Sequence, residues 1–440
     1  MGDSTVQAAG PTGQPVPWYR EVTPDQWKAF LACFMGWVLD GFDFTILTFI
    51  LVDLEHSFTV DKALAGALGT VTLLFRVAGG IGAGTAADKW GRKLPLMFSI
   101  LWYSVFAFLS GFSTSYRMLF ALRALFGIGM GGVWAAAMPL TIEHWPPHLR
   151  GIASGLLQGG WSWGFMLSTL VYQFIYPRVN AIRPDFGWRV MFWIGVLPAL
   201  MIFWVVKQVK ESPVWLARQS HLHEQHEADQ VSLVRIFQPD LLGVTLQTSI
   251  LMGAFIFSYH SLTFWYPTFL AKEKLEPLRF LVAFNFGSIA GAFLWGRFSE
   301  SRLGRRGAAI LAMLLGVAVI PLYILSRNPS ALWLGALLMG LTASGAWGVV
   351  PSYLTERFPT SVRGVGAGFA YHVGAGLGSF TPFLIGTLQD RGMPLPHAMM
   401  LCITTACLLV AFMMWLGPET RGRAFAAADD GHPAGLVHGH

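Results

Sequence analysis

The fold class this sequence predicts is an all-α membrane protein, on three observations. Of its 440 residues 54% are hydrophobic and only 12% are charged, about half the charged share of a soluble domain. The apolar residues gather into runs near 28–51, 62–86, 94–113, 115–141, 151–176 and 187–206, then 241–270, 279–299, 308–326, 331–355, 364–388 and 396–416. Each run is close to the roughly 20 residues that a helix needs to cross a bilayer, and in hydrocarbon the backbone must satisfy its own hydrogen bonds, so the runs are helical. Finally, the two sets of six runs repeat one another.

In chain order, residues 1–27 are polar and rich in Pro and Gly, without the basic-then-apolar order of a signal peptide. They read as a flexible cytosolic tail. Residues 28–206 form a first six-helix half, 207–240 a cytosolic linker, 241–416 a second six-helix half and 417–440 a cytosolic C-terminal tail. Trp134 and Trp347 stand 213 apart (347 − 134), as do Glu143 and Glu356, Pro146 and Pro359, and Arg150 and Arg363. Gly91-Arg92-Lys93 and Gly304-Arg305-Arg306 keep the same offset. One offset shared by so many identities predicts two pseudo-symmetric halves packed about an axis normal to the membrane.

Lys and Arg cluster in the loops on the side of both termini, among them Lys89, Arg92, Lys93, Arg150, Lys207, Arg305 and Arg363. The positive-inside tendency places that side, and both termini, in the cytosol of a cell inner or plasma membrane. The same topology explains the net charge of +6 without nucleic acid. Cys33, Cys402 and Cys407 lie inside apolar runs, so no disulfide framework or zinc site follows. His221, His223 and His226 with Glu224 and Glu227, like His438 and His440, have spacing too loose for a metal site and read as solvated segments. No metal or cofactor is expected.

The loop after the second run reads Gly84-Thr-Ala-Ala-Asp88-Lys-Trp-Gly91-Arg92-Lys93. It resembles the major facilitator superfamily signature Gly-x-x-x-Asp-x-x-Gly-Arg-Lys. Arg123-Ala-Leu-Phe-Gly127-Ile-Gly129-Met-Gly131-Gly132, Glu211-Ser212-Pro213-Val-Trp215 and Pro418-Glu419-Thr420 are similar to that superfamily's fourth-helix and half-ending motifs. The resemblance implies two six-helix halves that alternate around a central site. Asp88 can accept from a helix N-terminus and pair with an Arg, which makes a latch. In the second half Ser301 stands where Asp88 would map, so the latch is expected to be asymmetric.

At finer grain, Asp40-Gly41-Phe42-Asp43, Phe75-Arg76 and Ile142-Glu143-His144-Trp145-Pro146 resemble sialic acid:proton symporters, and the fourth-helix glycines resemble lactate/pyruvate permeases. The resemblance implies proton-coupled uptake of a carboxylate. The monocarboxylate permeases carry Asn-x-x-Ser-His-x-x-Gln-Asp-x-x-x-Thr in the seventh helix; aligned on the histidine, this chain keeps only His260 and Thr268, with Ile256, Tyr259, Thr263 and Phe264 at the Asn, Ser, Gln and Asp positions. A larger or more aromatic acid is therefore an alternative, as is a proton-driven exporter.

Arg76 lies mid-run, where a charge costs about 2.5–3.5 kcal/mol on insertion scales, so it should face a cavity or a partner. It is a candidate counter-charge for a substrate carboxylate, or a structural partner of an aspartate. Asp40 and Asp43, three apart on roughly one helix face, are the proton-coupling candidates. His260, Tyr259, Gln158, Trp161, Asn285 and His372 are the further substrate-binding candidates. Asp88, Arg92, Arg123, Glu143, Arg150, Glu356 and Arg363 are the gating candidates. Neither a nucleophile–base constellation nor a phosphate-binding Gly-Lys loop is visible, which argues against an enzyme or an ATP-driven pump. The expected partners are a small organic anion, protons and the lipid bilayer, with the chain monomeric.

Overall fold

The computed structural model describes residues 17–60, 62–225 and 233–423. No strand occurs among the described residues. The first half of the chain holds α1 (Pro24–Phe58), α2 (Lys62–Trp90), α3 (Lys93–Ser110), α4 (Tyr116–His144), α5 (Arg150–Phe174), α6 (Gly187–Ile194) and α7 (Leu197–Gln208). After α8 (Pro213–Gln225) come α9 (Pro239–Thr263), α10 (Pro277–Phe298), α11 (Gly304–Ile320), α12 (Pro329–Met339), α13 (Val350–Arg357), α14 (Arg363–Gly378), α15 (Thr381–Asp390) and α16 (Leu395–Leu416).

Nine helices among the described residues are long and apolar enough to cross a membrane. Large apolar side chains such as Leu74, Phe203, Phe286 and Phe380 are largely exposed on the outside, which suits a lipid solvent and not water. The other three expected runs are built differently. The fifth run, α5, is continuous, but Gln158, Ser154, Ser162 and Ser168 lower its hydropathy. The sixth breaks between α6 and α7, where a side chain on Gly195 would put its Cβ 2.8 Å from the Asp43 carboxylate. The eleventh breaks between α14 and α15.

The tenth run deforms without stopping. α12 passes into a π turn (Gly340–Ser344), a 3₁₀ turn (Gly345–Val349) and then α13. Pro351 in the first turn of α13 has no N–H to give back to that ladder. Such re-spacing of a helix re-aims side chains and is frequent at functional sites.

Two expectations need correction. The segment before residue 28 is not a free tail throughout. Trp18–Glu21 forms a helical turn, α1 already starts at Pro24, and the Gln26 amide donates to the His144 carbonyl at 2.7 Å. Trp18 packs on Trp27 and Phe293, so apolar aromatic area anchors what composition alone marked as polar. Likewise the 207–240 segment is partly helical and docked: Arg218 is buried, and the Trp215 indole donates to the Asp88 carbonyl at 2.8 Å. Residues 1–16, with His226, Glu227, His438 and His440, lie outside the described residues. No group of three or more His, Cys, Asp or Glu that could hold a metal ion occurs among the described residues.

The halves meet where α2 packs on α14 and α5 on α10. Small residues allow the approach: a Cβ on Gly84 would sit 2.7 Å from the Gly364 carbonyl, and a Cβ on Gly155 would run into Ala292.

Candidate functional site

Between the halves lies a partly enclosed cavity. The first half contributes Trp37 and Phe44 from α1, Leu73 and Arg76 from α2, and Gln158, Trp161 and Ser162 from α5. The second contributes Tyr259 and His260 from α9, Ser288 from α10, Ser344 and Trp347 from the deformed tenth run, and Tyr371 from α14. Five of the seven expected binding residues thus line one space: Arg76, Gln158, Trp161, Tyr259 and His260.

Asn285 and His372 do not line it. Asn285 spends its amide on the Leu281 carbonyl of its own helix at 2.9 Å. His372 is fully buried between the halves, its Nε2 2.9 Å from the Gly131 carbonyl, with its ring against Gly80 where a Cβ could not fit. Its neighbour Tyr371 takes the cavity-facing position instead.

Arg76 is the cationic centre of the cavity. Its guanidinium carbon is 5.6 Å from the Trp37 ring, 5.8 Å from Trp161 and 5.5 Å from Tyr371, an arrangement of π faces that favours a cation. Asp40 is its carboxylate partner, at a loose 3.6 Å. Nε and Nη2 of Arg76 and both carboxylate oxygens of Asp40 have no hydrogen-bond partner among the described residues. A fork of donors held beside a carboxylate without a close bidentate fit can change partners. Across the cavity the Trp161 indole donates to the Tyr259 hydroxyl at 3.2 Å and ties α5 to α9.

Asp43 belongs to a different place. It is buried within Coulombic reach of Arg123, whose guanidinium stacks 3.9 Å over Phe126 and 5.6 Å from Phe192. This pair is internal to the first half and absent from the cavity lining.

On the side of the termini the halves are fastened. Asp88 accepts from the Gly364 and Val365 amides at 2.9 and 2.8 Å, capping α14, and pairs with Arg92. Arg92 also donates to both oxygens of Glu143 at 3.3 and 3.2 Å, and Arg363 from the other half reaches Glu143 at 2.9 Å. Ser212 adds a 2.6 Å bond to Glu143. The carboxylates around Arg92, which is fully buried, hold its guanidinium above its ordinary range.

A carboxylate nevertheless fills the place of Asp88 in the second half, although it caps one amide where Asp88 caps two. Glu300, one position before Ser301, pairs with Arg305 at 2.8 Å and accepts from the Gly151 amide at the start of α5. Its extra methylene makes good the one-residue shift. Arg305 donates to both oxygens of Glu356 at 3.2 and 3.0 Å, as Arg92 does to Glu143, and Thr420 takes the place of Ser212 at 2.7 Å. Arg150 and Arg363 each donate Nε to a carbonyl eight residues back, Ile142 and Thr355, at 3.2 Å; Arg150 also reaches the Arg423 carbonyl at 2.7 Å. Glu211 and Glu419 cap α3 and α11, each accepting from two successive amides. Gly91 and Gly304 hold positive φ there (91° and 67°), and a Cβ on either would collide with the capping carboxylate.

A family model described as the Major Facilitator Superfamily matches residues 33–382. The chain belongs to the major facilitator superfamily. It is therefore a multi-pass membrane transporter and not an enzyme. A probable 4-methylmuconolactone transporter of Cupriavidus pinatubonensis is 32% identical over 412 residues, 92% of this chain and 94% of that protein. The sialic acid transporter NanX of Escherichia coli is 31% identical, over 83% of this chain and 88% of its own. Among solved structures, the proton:xylose symporter XylE superposes with a TM-score of 0.74 at 18% identity, covering 91% of this chain and 98% of that one. That likeness concerns the fold.

Within this superfamily chain, several site residues escaped the sequence reading. Trp37, Phe44, Trp347 and Tyr371 line the cavity, yet an aromatic inside an apolar run carries no cost that would single it out. Glu211, Ser212, Glu419 and Thr420 sat in motifs already recognised. Their role as caps and network members needed the third dimension.

Proposed function

We propose that the protein is a monomeric carboxylate:proton symporter with twelve spans, the three irregular runs completing the nine, and with both termini in the cytosol. The observation that carries the reading is Arg76, which lines the inter-half cavity, caged by aromatic rings and loosely paired with the fully buried Asp40. The two relatives named above are described as carrying a muconolactone and sialic acid, which fits an acid as cargo.

The charge balance gives a mechanism. Asp40 and Arg76 together are neutral. A proton on Asp40 releases the guanidinium, which takes a substrate carboxylate bidentately, and the loaded cavity is again neutral. Loading therefore adds no uncompensated charge when the halves rock and the latches part. Loss of the proton on the cytosolic side returns Asp40 to Arg76 and expels the acid. The aromatic walls, Trp37, Trp161, Trp347, Tyr259 and Tyr371, favour a flat ring acid over lactate, since ring stacking contributes beyond area burial.

The test is luminal pH in dye-loaded proteoliposomes as benzoate, sialic acid and lactate are added singly. Protein-dependent acidification, strongest with a ring acid, is expected. Acidification no faster than in protein-free liposomes with every acid would overturn the proposal.

A further inference from the structure

The cavity has polar groups that a carboxylate on Arg76 leaves unused. Gln158 is 7% exposed, and its Oε1 has no hydrogen-bond partner among the described residues. His260 lines the same cavity from the other half, and its buried Nδ1 also has no partner among the described residues. Neither belongs to the Arg76–Asp40 pair or to the Trp161–Tyr259 tether. Buried polar atoms are nearly always paired in native proteins, and leaving one unpaired costs about 1–3 kcal/mol. The neighbouring serines do not relieve them: the Ser288 hydroxyl lies 2.9 Å from the Phe284 carbonyl and 2.8 Å from the Ser344 hydroxyl, and Ser344 lies on the π turn that brings it to the cavity.

The chemistry of these two atoms is selective. An amide oxygen can only accept, so its partner must be a donor. An imidazole nitrogen can accept from a hydroxyl or donate to its oxygen, according to tautomer. We propose that Gln158 and His260 form a second polar subsite that takes a hydroxyl of the substrate, so that the cargo is a hydroxylated ring acid and not a plain monocarboxylate. This rests on the carboxylate reading above. Carboxylate and hydroxyl then engage opposite halves of the molecule, Arg76 from α2 and His260 from α9, with Gln158 on α5. A ligand bridging both halves stabilises the state in which they are closed around it.

Calorimetric titration of the purified full chain with benzoate, 3- and 4-hydroxybenzoate and 4-methoxybenzoate tests this. A site built to bond a hydroxyl discriminates strongly against the analogue that lacks it, so at least one hydroxy acid should bind about tenfold or more tighter than both benzoate and the methoxy acid. Gln158→Leu should weaken binding of the hydroxy acids, leave benzoate and the methoxy acid no weaker than before, and bring the hydroxy-to-benzoate ratio to within about twofold of one. Arg76→Lys, kept as control, should weaken all four while leaving that ratio in place. Equal affinity for hydroxylated and plain acids, or a preference that survives Gln158→Leu, would overturn the subsite while leaving the carboxylate reading standing. Binding of none of the four would overturn the subsite, and failure of sialic acid and lactate to bind as well would overturn both.

Discussion

The latches and the cavity use the same residue types in opposite ways. In the latches Arg92 is held by two acids, Arg305 by two, and Glu143 by Arg92, Arg363 and Ser212. In the cavity Arg76 has one carboxylate at 3.6 Å, with two of its nitrogens and both oxygens of Asp40 lacking hydrogen bonds among the described residues. Buried charge that is fully partnered fixes a geometry, while buried charge that is under-partnered is poised to accept something else. The contrast divides the polar interior into a part that holds one state and a part that responds to cargo.

The largest effect should come from breaking the held part. Glu143→Ala strips Arg92 and Arg363 of a shared acid, and removing one partner of a buried pair costs about 3–5 kcal/mol. Thermal unfolding in detergent should show a large loss, and a midpoint equal to wild type would break the distinction drawn here. Arg76→Ala should do the reverse, cutting acid uptake about 100-fold, as expected for one or two charge-assisted bonds, while moving the unfolding midpoint less than Glu143→Ala does. Asp40→Asn should come next. Exchange of labelled acid across the membrane should persist within a few-fold, but a pH gradient should no longer drive accumulation; intact proton-driven accumulation would remove Asp40 from the coupling step.

The smallest effect belongs to Glu300. Burial pushes its carboxyl above the ordinary range, against the pull of Arg305 and the Gly151 amide, so its charge costs more than its partners return. An acid raised in this way contributes stability below its ordinary pKa, and that contribution is lost as pH rises through the raised value. Glu300→Gln keeps the acceptor oxygen and removes the charge. Stability near neutral pH should fall less than with Glu143→Ala, and the part of the pH dependence due to this carboxyl should vanish. A loss as large as that of Glu143→Ala would show Glu300 to be held as firmly as Glu143.

How much of this was legible beforehand follows a physical rule. Arg76, Asp40 and Asp43 were readable because charge inside an apolar run is expensive and needs a reason. The paired role of Asp40 and the separate lodging of Asp43 beside Arg123 were not, since three residues on a helix say nothing about what stands opposite. Tyr371 and His372 illustrate the limit: one residue turns a helix by about 100°, and the sequence does not state the rotation of α14. Glu300 escaped because the repeat was read by column, whereas a latch is defined by where the carboxylate ends. The first and second halves slipped by one residue there, and a longer side chain absorbed the slip. The broken sixth and eleventh runs were invisible to hydropathy, which counts apolar residues and not the continuity of their hydrogen bonds.

The reciprocity of the latches has a historical side. Asp88 of the first half caps α14 of the second, and Glu300 of the second caps α5 of the first. In an interface of this kind patch i meets patch j and j meets i, the defining property of a two-fold homodimer. A single-half ancestor could have made both contacts with a copy of itself before the two genes were joined. Within one chain, however, each side of such a seam can change without the other, and Asp88 and Glu300, one position out of register, do differ.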